Sequence, residues 1–278
     1  MSKILTLAGG LQVGIDEIDV NLPPNLIDLF GRLKVSLPYQ QISASLWSSA
    51  KDIFVSYGQV SGSNGTATAN SNAPYISLSV SSSASLVRAR SKVPATYQPG
   101  KPLLQFITGV MGTAVNNTEQ RMGYGFGDNR VYFGQDINGL FVNVASTVTG
   151  VLVNNKITRA NWNVDKLDGT GISGYNLDPT KSQIYFITFE YLGVGDIVFG
   201  VVRNREINVC HIISNPNNIT STYMATPAGF AFWENEKLQT QAGTSQTSFR
   251  AICSSVQIEG SSHAAGTQFP IRTTPVTT

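Results

Sequence analysis

The sequence predicts an all-β protein: an antiparallel β-sandwich of jelly-roll (lectin-like) type with a short N-terminal helix and extended terminal arms. Three observations carry that prediction. Short runs rich in β-branched and aromatic residues recur along most of the 278 residues, separated by Gly, Asn, Pro and Ser. One segment alone shows helical spacing. No repeat of about 40–50 residues is present, which sets a β-propeller aside.

The helical segment is PPNLIDLFGRL, residues 23–33, where Leu26, Ile27, Leu29, Phe30 and Leu33 recur after a Pro-Pro start. It is short and needs a surface to dock on. Strands are expected at 42–47, 53–57, 75–80, 86–93, 103–110, 120–125, 130–135, 139–144, 150–153, 183–191, 196–203, 206–213, 230–234 and 249–258. Asn138-Gly139 between two such runs is a two-residue hairpin signal, and Arg203-Asn204-Arg205 marks a second short hairpin loop. The run SGSNGTATANSN, 61–72, is low in complexity and reads as a flexible loop. The organisation is therefore a leader and helix over 1–35, a sandwich domain over 36–260, and an extended or disordered arm over 261–278.

Composition narrows the function. Charged residues make up 13%, about half the usual share, and hydroxyls and amides fill the surface instead. Such surfaces are common in all-β extracellular and virion proteins. A net charge of +2 points to neither nucleic acid nor membrane. No apolar run is long enough to span a bilayer, and MSKILTLAGGLQVG makes a poor signal peptide, so the N-x-S/T sites at Asn64, Asn116 and Asn218 carry little weight. Cys210 and Cys253 have no CxxC partner and read as two buried thiols, with a bridge between neighbouring strands as the alternative.

The run DKLDGTGISGYNLDPTK, 165–181, contains Gly169, Gly171 and Gly174 in the G-x-G-x-x-G spacing of a dinucleotide site. That fingerprint needs a strand before it and a helix after it. Here the preceding run is polar, and Asp178-Pro179 blocks a helix, so the glycines read as turn residues and no cofactor is expected. Asp165, Asp168 and Asp178 offer carboxylates for a calcium loop, although Asx-turns account for them equally.

Catalytic sets are poor. His211 shares a strand face with apolar neighbours and reads as a packed side chain, while His263 lies in the tail. Glu234 and Glu236 share a strand face and Glu190 stands alone, but the E-x-D-x-x-E pattern of jelly-roll hydrolases is absent. The chain reads as a non-enzyme. Arg88, Arg90 and Lys92 alternate with small and apolar residues, so these cations share one face of a strand. That ladder is either a solvated face or a grip on an acidic glycan, an acidic protein surface or phosphate. Tyr124, Phe126, Tyr132 and Phe133 crowd one stretch, as core residues of a sandwich would.

Three segments carry a resemblance: RARSKVPATYQPGKPLLQFITGV (88–110), RMGYGFGDNRVYFGQDINGLFV (121–142) and NVDKLDGTGISGYNLDPTKSQIYFITFEYLGVGDIVFGVV (163–202). Their order and wording resemble poorly characterised virion structural proteins of tailed phages and large DNA viruses. The resemblance implies a location in the virion and a role in binding, as a capsid decoration (cement), minor capsid or fibre component. Its partners would be the major capsid protein or other virion proteins, and it would form a homo-oligomer, a trimer by analogy with capsid threefold sites. It implies no catalytic residues. The face of 183–191 that holds Ile184, Phe186, Thr188 and Glu190 is expected to meet a neighbouring subunit. The alternative is a carbohydrate-binding, receptor-recognising module on a tail or cell surface. An exposed aromatic with an Asn/Asp/Arg cluster at a loop end would favour it. A polysaccharide-degrading enzyme is the third reading and needs two carboxylates about 5–10 Å apart in a cleft.

Overall fold

A computed structural model describes residues 3–6, 12–15, 38–45, 55–70, 72–240 and 246–259. The predicted helix at 23–33 and the C-terminal arm lie outside them. Strands β1 (Lys3–Thr6) and β2 (Gln12–Ile15) pair with each other as a separate hairpin. The sandwich begins with β3 (Pro38–Ser45), β4 (Val55–Gly62), β5 (Thr66–Ala69), β6 (Ile76–Val80), β7 (Ser85–Ser91) and β8 (Leu103–Val110). It continues through β9 (Thr118–Phe126), β10 (Asn129–Asp136), β11 (Gly139–Ser146), β12 (Val153–Thr158), a 3-10 turn at Arg159–Asn161 and β13 (Gln183–Phe189). It closes with β14 (Ile197–Arg203), β15 (Glu206–Ile213), β16 (Phe230–Lys237) and β17 (Thr247–Glu259).

These strands form two antiparallel sheets. One has seven strands in the order β12-β11-β10-β9-β16-β7-β4. The other has eight, β15-β14-β13-β8-β17-β6-β5, with β3 paired to the far half of β17 beyond β6. The architecture is the expected antiparallel β-sandwich. Every predicted strand overlaps an observed one, and β8 and β15 match their predicted runs residue for residue. The low-complexity run is corrected: it holds β5, whose Thr-Ala alternation turns Ala67 and Ala69 onto the core edge.

The hairpins show local chemistry. Between β14 and β15 the loop is Asn204-Arg205, both at positive φ, 53° and 69°, the two-residue turn whose twist matches antiparallel strands. Between β10 and β11 the loop is Ile137-Asn138 rather than Asn138-Gly139, and the Asn138 amide donates to Asp136 Oδ1 at 2.8 Å. The 165–181 run is a folded-back loop closed by the Leu177 amide on the Leu167 carbonyl, 2.7 Å.

The core fills the space between the sheets. Phe133 at its centre packs against Tyr185, Phe199 and Trp162, with ring centroids at 5.0, 5.4 and 6.3 Å. Edge-on and tilted rings of this kind add to the burial of their own area. Three buried polar side chains also stitch one sheet to the other. Gln105 on β8 donates to the Gly123 carbonyl on β9 (2.9 Å), and Trp233 on β16 donates to the Thr108 carbonyl on β8 (3.0 Å). Asn235 on β16 donates to the carbonyls of Leu78 (2.8 Å) and Thr247 (3.1 Å). Each bond fixes the sliding of one sheet over the other at a place where an unpaired polar group would be costly.

The aromatic cluster divides. Tyr124 and Phe133 lie in the main core, Tyr132 in a smaller cluster on the far side of its sheet, and Phe126 is exposed. On β13, Phe186, Thr188 and Glu190 beyond it are buried, which leaves Ile184 as the exposed member of the face expected to meet a neighbour. Gly200 on the adjacent strand lets the Phe186 ring lie down over the sheet; a Cβ there would stand 2.3 Å from it.

Candidate functional site

Side chains alternate across a strand, so half of β9, β10, β16 and β7 must point away from the core. In the seven-stranded sheet these outward residues fall in register. One row runs Ser56, Arg90, Phe232, Gly123, Tyr132, Asn143, Lys156; the next runs Gly58, Arg88, Glu234, Arg121, Gly134, Phe141, Thr158. A third places Phe230, Gly125 and Arg130 side by side. Glycines alternate with large rings for a steric reason. A Cβ at Gly134 would meet the Phe141 ring at 2.3 Å, so only glycine lets that ring lie flat on the sheet. Tyr132, Phe141, Ala145 and Phe232 form a buried cluster under this outer layer.

Charges sit on the rings. Glu234 is buried, and its carboxylate receives Arg88 Nε at 2.5 Å and Arg130 Nη1 at 3.1 and 2.9 Å, with Arg121 Nε at 3.1 Å. Arg121 also pairs with Glu236 and lies 3.6 Å from Glu119. Lys156 pairs with Asp136 at 2.8 Å and lies over the Phe141 ring, 3.7 Å from its centre. Burial alone would raise the Glu234 pKa; the guanidiniums of Arg121, Arg130 and Arg88 outweigh it and hold the carboxyl below its usual range. The carboxylate pair considered for glycoside hydrolysis is thus tied to arginines. Glu234 stays ionised with its oxygens engaged, and holds no proton to give.

At the end of this face the geometry opens. Phe126, 54% exposed, closes β9, and its ring lies 5.8 Å from that of Phe230. Arg90 stacks over Phe230 at 4.7 Å, and Arg130 lies over Phe232 at 5.5 Å. These groups, with Gly125, Gly127, Arg88 and Glu234, line a narrow depression of about 20 Å³, above which the Phe126 ring stands exposed. A second depression of about 320 Å³ adjoins it, sharing Arg88 and Arg90 and bounded by Ser56, Gly58, Gln59 and Val60 of the edge strand β4.

The predicted ladder is therefore divided. Arg88 and Arg90 share the outer face, whereas Lys92 lies past the end of β7 and is exposed. The three aspartates are not brought together. Asp165 is buried and accepts the amides of Leu167 and Ser173 at 2.7 and 2.8 Å, while Asp168 and Asp178 accept from Thr170 and Thr180 in their own turns. Those hydrogen bonds lower the pKa of Asp168 and Asp178. Among the described residues no group of three His, Cys, Asp or Glu gathers to hold a metal ion. The fingerprint glycines have steric work instead: a Cβ at Gly171 would stand 2.0 Å from the Asp165 carboxylate, and Gly169 and Gly174 have φ of 89° and 60°.

His211 is buried, accepts the Asn163 amide on Nδ1 at 3.2 Å, and has its pKa lowered by burial, as a packed side chain should. His263 lies outside the described residues. Cys210 is buried and free; Cys253, also free, is exposed, because the register shift between Ala251 and Cys253 breaks the alternation of β17 and turns it away from the core. The expectation of two buried thiols, or of a bridge, is corrected at that residue. Phe126, Phe230 and Arg130 were missed as a group by the sequence reading. Their signal was faint: an aromatic at a glycine-flanked strand end, with no local mark of its neighbours.

No protein-family model matches the sequence, and no curated protein does. Solved structures match by shape. A β-glucanase of Bacillus licheniformis is 12% identical, with a TM-score of 0.44, over 84% of this chain and 97% of that one. A legume lectin-like domain from Entamoeba histolytica is 8% identical, with a TM-score of 0.42, over 79% and 95%. The lectin UEA-II in complex with galactose is 6% identical, with a TM-score of 0.42, over 80% and 98%.

Proposed function

We propose that the protein is a carbohydrate-binding module and that the open end of the seven-stranded sheet is its site. One observation carries this reading: the exposed Phe126 ring, paired with Phe230, stands beside Arg90 and Arg130 in a depression at a loop end. Saccharides are recognised by that combination, an apolar ring for the C–H face of a pyranose and planar donors for its hydroxyls. No reaction belongs to this reading, since the buried carboxylate of the site is locked between guanidiniums. A glycan array probed with the full chain tests it. Phe126→Ala should weaken the bound glycans roughly 10-fold or more, as loss of a hot-spot aromatic does. Its unfolding midpoint should stay unchanged, because the ring is exposed. An array without any bound glycan sinks the reading.

A second reading is that of a virion structural component, with the homo-oligomeric state and capsid partners that go with it. Besides the resemblance of its segments, an open trough of about 440 Å³ on the outer face of the eight-stranded sheet favours it. Phe106, Thr108, Ile184, Val202, Cys253 and Ser255 line it, an apolar and hydroxyl-rich surface suited to a protein neighbour. Labelling of intact particles would locate the protein, and a cement role requires that it shield capsids from heat.

A further inference from the structure

We propose that the ligand of the outer face is an acidic saccharide, a pyranose bearing a carboxylate or sulfate, held by Arg90 and flanked by Phe126 and Phe230. This rests on the carbohydrate-binding reading and names its ligand class.

The depression is lined by three guanidiniums, Arg88, Arg90 and Arg130, against the single carboxylate of Glu234. Arg88 and Arg130 both donate to the Glu234 carboxylate. Arg90 has no carboxylate within ion-pair distance among the described residues; its contact is the face of Phe230, 4.7 Å away. Stacking fixes the plane of a guanidinium while leaving its N–H edge to donate, the arrangement that grips a planar oxyanion with two bonds. The cation is held in place in advance, so little ordering is needed when the ligand arrives.

The surroundings select a sugar over a bare anion. Phe126 and Phe230 give a pair of rings beside the cation. On the other side of Arg90 the adjoining depression has the bare backbone of Gly58 in its wall, where an added Cβ would meet nothing within 4 Å. A chain of pyranose rings can therefore continue across the Arg88–Arg90 ridge. Elsewhere on this face each cation has a carboxylate besides Glu234: Arg121 has Glu236, and Lys156 has Asp136 and Glu119. The excess positive charge is local to the depression.

Calorimetric titration of the full chain with four probes tests this: oligogalacturonate, a sulfated oligosaccharide, neutral maltohexaose and oligoglutamate. Oligogalacturonate or the sulfated oligosaccharide should bind at least 10-fold more tightly than maltohexaose, and the preferred one identifies the acid. Its affinity should fall as NaCl rises from 50 to 500 mM. Arg90→Ala should reduce it roughly 10-fold or more, Arg90→Lys should restore part of it, and both variants should keep the wild-type unfolding midpoint. Maltohexaose binding as tightly as the acidic probes, with Arg90→Ala silent, would overturn this inference and leave the carbohydrate-binding reading standing. Oligoglutamate binding as well as the acidic sugars would overturn it too, since charge alone would then suffice. No saccharide binding at all would remove both.

Discussion

At the residue scale, Glu234 dictates how the seven-stranded sheet responds to acid. Its carboxyl is desolvated, which opposes ionisation, and surrounded by Arg121, Arg130 and Arg88, which favour it more strongly. Its folded pKa lies below the ordinary value of 4.5. The sign follows from linkage: the unfolded chain binds the proton more tightly, so this stabilisation is fully present above about pH 4.5 and is lost as the pH falls through the lower, folded value. Thermal melts from pH 7 to pH 3 should show a steep decline in that window. Glu234→Gln should melt lower at pH 7, by about 3–5 kcal/mol of stability, because it leaves buried guanidiniums unmatched. Its decline below pH 4.5 should be shallower than that of the wild type; an equally steep one would mean that other carboxyls govern the acid limb. Only half of this was legible in the sequence. Alternation alone put Arg88 and Arg90 on one strand face, and Glu234 with Glu236 on another. That the two faces are one could not be read, because Arg88 meets a partner 146 residues away. The use of Asp165, Asp168 and Asp178 was hidden for a related reason: they are close in sequence but not gathered in space, and each carboxylate accepts amides within its own loop.

At the scale of elements, strand identity was the easiest feature to read, since β-branched and aromatic runs between Gly and Asn carry their signal locally. The misses have physical causes. The Thr-Ala alternation of β5 is too weakly apolar to stand out, and it becomes a strand because β6 offers it an edge. The glycines at 123 and 134 fall inside the predicted strands, but their purpose does not show in the sequence: Gly134 makes room for the Phe141 ring, and Gly123 for the close approach of the β10 backbone at Val131 and Tyr132. The polar stitches between sheets were equally invisible, since Asn235 looks in sequence like any surface amide on β16. It is fully buried and donates to carbonyls on both β6 and β17. Asn235→Ala removes both bonds and opens a small void, and should cost about 1–3 kcal/mol in urea denaturation. A loss below about 0.5 kcal/mol would show that the carbonyls of Leu78 and Thr247 are satisfied without it. Gln105 and Trp233 would then be the stitches left to hold one sheet in register with the other.

At the scale of the whole molecule, the last described strand does most to close the fold. β17 lies between β8 on one side and β6 and β3 on the other, so it occupies the middle of the eight-stranded sheet although it comes last among the described strands. Without it, β6 and β5 lose their link to β8, and Phe249, Ala251 and Val256 leave the core. Their burial is worth several kcal/mol, and the exposed edge of β8 adds to the loss, against a total stability for a domain of about 5–15 kcal/mol. A chain ending at residue 246 should therefore show no cooperative thermal transition and should bind a hydrophobic dye, even though its seven-stranded sheet has every strand. Adding a synthetic peptide of residues 247–259 should restore part of the transition, since strand addition at an open edge follows the same backbone chemistry. Slow folding follows from the same topology. Pairs such as β7 with β16 and β8 with β17 close long loops before any contact rewards them. A truncated chain that melts cooperatively at the wild-type temperature would show the seven-stranded sheet to be a folding unit in its own right. The two sheets would then have to be treated as separately stable layers rather than one core.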